Sequence, residues 1–323
     1  MPETSGDAPF LGPMPDGIAP AAAWWIAAKD GVRLRACHWP ADGADAHVVF
    51  FNGRTEYIEK VSAPAAELVR RGFSVVSLDW RGQGLSDRML GQPLKGHVSD
   101  FAHFQRDVDA FLADPVVAGL SGKRLLFAHS MGGMIGTGAL LRPEIGDCIS
   151  AAVFSAPMYG IAMGPVMRVA ASITSFLGKM LGKQDAWSPF GDVKTPYVLQ
   201  DVTDNVLTHD QDVWDWMKKI AQDHPETSIA TPTLGWFTAA SDEIKRMQST
   251  MRPVCPSLYL LGSEEKVVDP AAVRQGAKAM NGNLHEIAGG RHELLIERAD
   301  LRQQAWDAID AFLQDQGIPI KDA

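Results

Sequence analysis

The sequence has little with which to cross-link itself, hold a metal or bind nucleic acid. Its three cysteines, Cys37, Cys148 and Cys255, are odd in number and far apart, with no CxxC pair and no cysteine–histidine cluster. That spacing excludes a disulfide framework and a zinc-ribbon type of site, and it leads to the expectation of a cytoplasmic location. Cationic residues are in deficit, 30 Lys and Arg against 39 Asp and Glu, so phosphate backbones are repelled and nucleic acid is excluded as a partner. The same charge balance argues against electrostatic docking onto an anionic bilayer. No apolar run approaches the roughly 20 residues that span a membrane. The opening stretch, MPETSGDAPFLGPMPDG, carries acids where a secretory signal needs Lys or Arg. Contact with lipid is therefore expected to be peripheral at most.

What is present is a chain of 323 residues, 46% hydrophobic, which is enough to bury a large core. The apolar residues are concentrated in short runs: HVVFF (47–51), FSVVSL (73–78), RLLFAH (124–129), AAVFSA (151–156), SLYLLG (257–262) and LHEIAG (284–289). Continuous runs of this length suit strands covered on both faces. Between them, residues 58–71, 101–113, 271–280 and 299–314 have helical spacing, with Phe101, Phe104, Val108 and Phe111 on one face. Strands alternating with helices predict an α/β fold, a mostly parallel sheet with helices on both faces. Asp30-Gly31 predicts a hairpin turn that adds an antiparallel edge. Residues 1–20, rich in Pro and Gly, read as a flexible arm, and 21–156 with 254–323 as the core. Residues 157–253 break the rhythm and read as a helical insertion between two core strands.

One motif carries chemistry. The run RLLFAH leads into Ala128-His129-Ser130-Met131-Gly132-Gly133 and then a small-residue helix. This strand–turn–helix setting is that of a nucleophile elbow, with Ala128 in place of the first glycine of G-x-S-x-G. Ser130 is the candidate nucleophile; a mere helix-capping serine is the competing reading. A serine hydroxyl needs a base, and the base needs an anion to hold its tautomer. His292, in the loop after the last strand, is the candidate base. His285, within that strand, reads as structural, and His129 as a buried core histidine. Of the carboxylates after SLYLLG, Glu265 is preferred as the orienting acid. Asp269 is the alternative, or a helix cap, and Glu264 is expected to face solvent. Met131 N–H, at the helix start, is one candidate oxyanion donor, and Arg54 N–H, in Asn52-Gly53-Arg54, is the other. Asp79 and Arg81, in DWRGQGLS, read as architecture. The chemistry calls for neither metal nor organic cofactor.

FFNGRTEYIEK, SLDWRGQGLSDR, KGHVSDFAHFQRDVDAFL, FAHSMGG, AAVFSAPMYGI, LYLLGSEEKVVD and GGRHELLIE together resemble the monoacylglycerol lipase and lysophospholipase branch of the α/β-hydrolase superfamily. The resemblance spans most of 47–160 and 255–297. It implies an α/β-hydrolase fold with a cap formed by the insertion, a triad of Ser130, Glu265 and His292, and oxyanion donors at Arg54 and Met131. It further implies a small ester or lipid substrate, cleaved through an acyl-enzyme at or near the inner membrane. Asn52 stands where many relatives have His, and Glu265 where Asp is commoner. Met158, Met163 and Trp236 are candidate pocket residues, although helix packing explains such residues equally well. An aminopeptidase, with Asp242 or Glu243 gripping the amine, and a non-catalytic binder on the same fold are the alternatives.

Overall fold

The computed structural model describes residues 6–189 and 195–321. Its strands are β1 (Ala22–Ala27), β2 (Arg33–Trp39), β3 (Ala46–Phe51), β4 (Ser74–Leu78), β5 (Lys123–His129), β6 (Ile149–Ser155), β7 (Ser257–Gly262) and β8 (Asn283–Ile287). They form one sheet in the order β1-β2-β4-β3-β5-β6-β7-β8. From β4 to β8 the pairing is parallel, while β1 and β2 add the antiparallel edge. Gly31 turns the β1–β2 hairpin at φ +84°, a conformation open to glycine because it lacks Cβ.

The helices are α1 (Ser62–Arg70), α2 (Ala102–Ala113), α3 (Pro115–Ala118), α4 (Met131–Leu140), α5 (Pro143–Gly146), α6 (Pro165–Met180), α7 (Gln211–Asp223), α8 (Leu234–Thr250), α9 (Pro270–Ala279) and α10 (Ala299–Asp315). Every residue of β3, β4 and β7 is buried, as continuous apolar strands require. Alternate residues divide them between two cores. Val49, Phe51, Val76 and Leu126 pack with Phe104, Val108 and Phe111 of α2 and with α4 on one face. Val48, Phe50, Val75 and Leu125 pack with Leu68 of α1 and with Trp306 and Ile309 of α10 on the other. β8 is the far edge, with only Ile287 buried. His285 is exposed there, so the structural role expected for it is not what the fold gives it.

Between β6 and β7 the chain builds α6, α7 and α8, and the described residues form no regular strand there. Leu94 O and Gly96 O accept from Ala230 N and Thr233 N, which fixes the insertion to the loop after β4.

Residues 6–20 are not the loose arm that their composition suggests. They lack regular structure, yet Met14 is buried, its N–H donating to Ser62 Oγ, and Leu11 N–H donates to Glu59 Oε1. The Pro9 carbonyl accepts from the Arg35 guanidinium. Pro and Gly preclude a helix but not burial, and backbone groups in such a segment find side-chain partners instead. Arg35 is itself buried between Glu59 and Asp79, at 2.7 and 2.8 Å. Asp79 also accepts from Ile58 and Leu85 N–H, while Arg81 joins Asp107 and Asp30. These pairs have the architectural role expected of Asp79 and Arg81.

Candidate active site

β5 ends at His129 and α4 begins at Met131, which leaves Ser130 alone at the turn with φ 51° and ψ −117°. A non-glycine residue there is strained by about 1–3 kcal/mol and persists only where its surroundings over-determine it. A Cβ at Gly132 would lie 2.2 Å from the Phe51 carbonyl oxygen, and one at Gly133 2.6 Å from Pro157 Cβ. Gly132 is therefore required for α4 to start so close to the end of β3, and Gly133 for it to lie against Pro157, just after β6. Ala128, in the place of the first glycine, is buried. The turn is held by Ser130 N–H donating to Ser155 O at 3.0 Å, and by Ser130 O accepting from Met158 N–H at 2.9 Å.

The exits of β7 and β8 bring the acid and the base together. A Cβ at Gly262 would lie 2.1 Å from Gly290 O, and Glu264 N–H donates to that same carbonyl at 2.9 Å. This close crossing sets Glu265 Oε2 2.7 Å from His292 Nδ1. Glu265 Oε1 accepts from Val267 and Val268 N–H, at 2.6 and 3.0 Å. Burial pushes the Glu265 carboxyl upward, but the His292 imidazole and the two amides outweigh it, and its pKa is lowered. Asp269 instead caps α9, accepting from Ala271 and Ala272 N–H. Glu264 is exposed. With Nδ1 committed to Glu265, the other nitrogen of His292 is free to face the cavity that Ser130 also lines. Ser130 Oγ is hydrogen-bonded to no described residue, and such contacts commonly tighten only when substrate is bound.

In the loop after β3, Gly53 N–H is taken by Glu56 Oε2 and Thr55 N–H by Gln83 Oε1. The Arg54 N–H between them has no acceptor among the described residues. Met131 N–H, first in its helix, likewise lacks an intrahelical partner. The Arg54 side chain donates from Nη2 to Ala230 O at 2.7 Å, and its guanidinium lies 5.0 Å from the ring centre of Trp236.

Beneath this lies a cluster that the sequence reading did not find. Lys60 Nζ bonds Glu56 Oε1 at 2.6 Å and Glu293 Oε1 at 2.5 Å, all three side chains buried. His129 Nε2 stands 3.3 Å from Glu293 Oε2 and 3.7 Å from Glu56 Oε1 without a formed hydrogen bond, while Nδ1 faces Ser155 O at 3.1 Å. Burial favours neutral His129, but Glu293 and Glu56 outweigh it and raise its pKa. Glu293 is pushed up by burial and held well below the usual range by Lys60 and then His129. His129 is thus buried, as expected, but in an ionic cluster rather than an apolar core. The cluster joins the residue before Ser130, the residue after His292, and the loop of Arg54. Glu56, His129 and Glu293 could together hold a metal ion by geometry, but the Lys60 ammonium already supplies positive charge there. Glu56 and Lys60, four apart, were the one trace of this cluster in the sequence.

A cavity of about 340 Å³ opens over Ser130. Met158, Met163 and Trp236 line it, together with Ile161, Phe237 and Val268. A second cavity of about 250 Å³ shares Ile161, Met163 and Phe237 with it. Neither Asp242 nor Glu243 lines the first cavity, and Glu243 is paired with Arg246 at 2.7 Å. The carboxylates that do line it, Glu56 and Glu293, are the ones neutralised by Lys60 and His129.

The sequence profile of the family described as "Serine aminopeptidase, S33" matches residues 42–299. The chain is similar to the protein named "Probable lysophospholipase L2" of Haemophilus influenzae, 30% identical over 297 residues, covering 90% of this chain and 92% of the relative. It is also 30% identical over 305 residues to "Lysophospholipase L2" of Escherichia coli, covering 90% and 86%. A solved monoglyceride lipase from Saccharomyces cerevisiae shares the fold at a TM-score of 0.69 and 16% identity, over 90% of this chain and 95% of that one. A monoacylglycerol lipase from Paleococcus ferrophilus does so at 0.65 and 19%, over 88% and 99%.

Proposed function

The chain belongs to the serine aminopeptidase S33 family, and from that premise we propose that it hydrolyses carboxylic esters of single-chain lipids through an acyl-enzyme on Ser130. The observation that carries this reading is the 2.7 Å contact between buried Glu265 and His292, on the rim of the cavity that holds Ser130 at its strained turn. Glu265 holds the Nδ1–H tautomer and stabilises the imidazolium that forms when His292 takes the proton of Ser130. Ser130 Oγ attacks the ester carbonyl, and the N–H groups of Arg54 and Met131 receive the oxyanion. The alcohol leaves with the proton from His292. Water, activated by the same imidazole, then releases the fatty acid and restores the serine.

Two observations favour an ester over a peptide. The relatives at 30% identity are named lysophospholipases. The cavity is lined mainly by apolar side chains, and its two carboxylates are already paired, so no free anion is offered to a substrate amine. Peripheral contact with a lipid surface is supported by α6, whose Val166, Val169, Ile173, Phe176 and Met180 are exposed. No helix among the described residues is long and apolar enough to cross a membrane. We place the protein in the cytoplasm, at the lipid surface. A hydrolysis panel of p-nitrophenyl esters, monoacylglycerols, lysophospholipids and amino-acid anilides tests the reading. Turnover of the lipids is expected, and a preference for anilides would replace it with the peptidase alternative.

A further inference from the structure

Arg54 is an anomaly in the cavity wall. Its guanidinium faces no carboxylate among the described residues, its Nε is buried without a partner, and Nη2 has only the neutral Ala230 carbonyl. Loss of water alone draws its pKa down to about 10, so at neutral pH it remains a cation. The fold nevertheless makes room for it: a Cβ at Gly96 would lie 2.6 Å from Nη2, and the Trp236 ring supports its face. A half-buried cation without a counter-charge is unfavourable and is more often found paired. Its place is informative too. The backbone N–H of this residue is the proposed oxyanion donor, so the guanidinium sits one arginine side chain away from the ester carbonyl. In a lysophospholipid the phosphate is separated from the ester carbonyl by one glycerol unit, a comparable span.

We infer that the Arg54 guanidinium binds the phosphodiester anion of a single-chain phospholipid, and so selects lysophospholipids over neutral monoacylglycerols. This rests on the ester-hydrolase reading and names its substrate class. Nη1, which has no partner among the described residues, offers its N–H groups to a phosphate oxygen, and an arriving anion relieves the unpaired charge. The competing role, a latch from the core to the insertion through Ala230, would serve every substrate alike.

The two are separated by comparing wild type, Arg54→Met and Arg54→Lys on a lysophosphatidylglycerol and a monoacylglycerol with the same oleoyl chain. Arg54→Met is expected to lower the ratio of kcat/KM, phosphate-bearing over neutral, by about ten- to a hundredfold, as for loss of a charged hydrogen bond. Arg54→Lys should retain more of the ratio than Arg54→Met. A parallel fall on both substrates, or an unchanged ratio, overturns the inference. A second measurement is made in the Ser130→Ala background. There, tryptophan fluorescence follows binding of a short-chain ether analogue of lysophosphatidylglycerol and of its phosphate-free counterpart. Tighter binding of the phosphate-bearing lipid, lost in Arg54→Met, supports the site; equal binding of the two overturns it. If wild type cleaves neither ester, the ester-hydrolase reading falls, and this binding comparison still decides the role of Arg54.

Discussion

Glu265 and Asp269 separate cleanly at the level of single residues. Four positions apart and both acidic, they were rivals in the sequence because the length of a loop does not say which carboxylate reaches back. The structure gives each a different partner: an imidazole for Glu265 and the α9 N-terminus for Asp269. Glu265→Gln should lower kcat by about three to four orders of magnitude, since it removes the anion behind the imidazolium. Asp269→Asn should leave kcat near wild type and shift stability by less than about 1 kcal/mol, because Asn caps as well as Asp. Steady-state kinetics and urea melts of the two variants check this. His129 gives a second prediction. Its pKa is raised in the folded protein by Glu293 and Glu56, against burial, with Lys60 and the His292 ring 4.7 Å away also facing it. A raised value means that its stabilisation is complete below the unfolded value of about 6.5 and is lost as pH rises through the folded value. The stability difference between wild type and His129→Gln should therefore shrink as urea midpoints are taken from pH 6 to pH 9. A difference that is flat or grows with pH contradicts it.

Elements show where the sequence is legible and where it stops. The strand–turn–helix at β5 and α4 could be read because its demands are local: a buried run, a serine and a close approach that only glycine allows. Gly132 is the sharpest case, its missing Cβ facing both Phe51 O and Asn52 O at 2.2 and 2.4 Å. Gly132→Ala is expected to destabilise by several kcal/mol, as overpacking against backbone does, and to abolish turnover. Near-wild-type thermal melting would show that α4 can shift away from β3. The Lys60–Glu293 contact, by contrast, joins residues 233 apart, and no local pattern pairs them. Likewise the composition of residues 6–20 announces irregular backbone but not that Arg35 and Ser62 will hold it in place.

For the whole molecule, the proposed triad and much of the apolar cavity wall come from different parts of the chain. The core sheet carries Ser130, Glu265 and His292, and its alternation of strand and helix was plain from apolar periodicity. The insertion supplies Met163, Trp236 and Phe237 to the cavity and exposes one side of α6. Its helices were readable as helices, but which side chains point inward depends on docking geometry that periodicity does not contain. With a net charge of −9, the proposed attachment to lipid rests on apolar contact rather than charge. The triple substitution Val169→Ser, Ile173→Ser, Phe176→Ser is expected to weaken binding to zwitterionic vesicles by about a thousandfold, since each side chain buried in lipid contributes about 1.5–3 kcal/mol. Hydrolysis of a soluble p-nitrophenyl ester should be unaffected. Vesicle sedimentation that is unchanged by the triple substitution removes α6 as the contact surface. The central claim is tested most directly by treating the protein with a fluorophosphonate and mapping the adduct by peptide mass spectrometry. One adduct on Ser130, absent when His292 is replaced by Ala, is the predicted result; an unmodified Ser130, or an adduct elsewhere, would contradict the account.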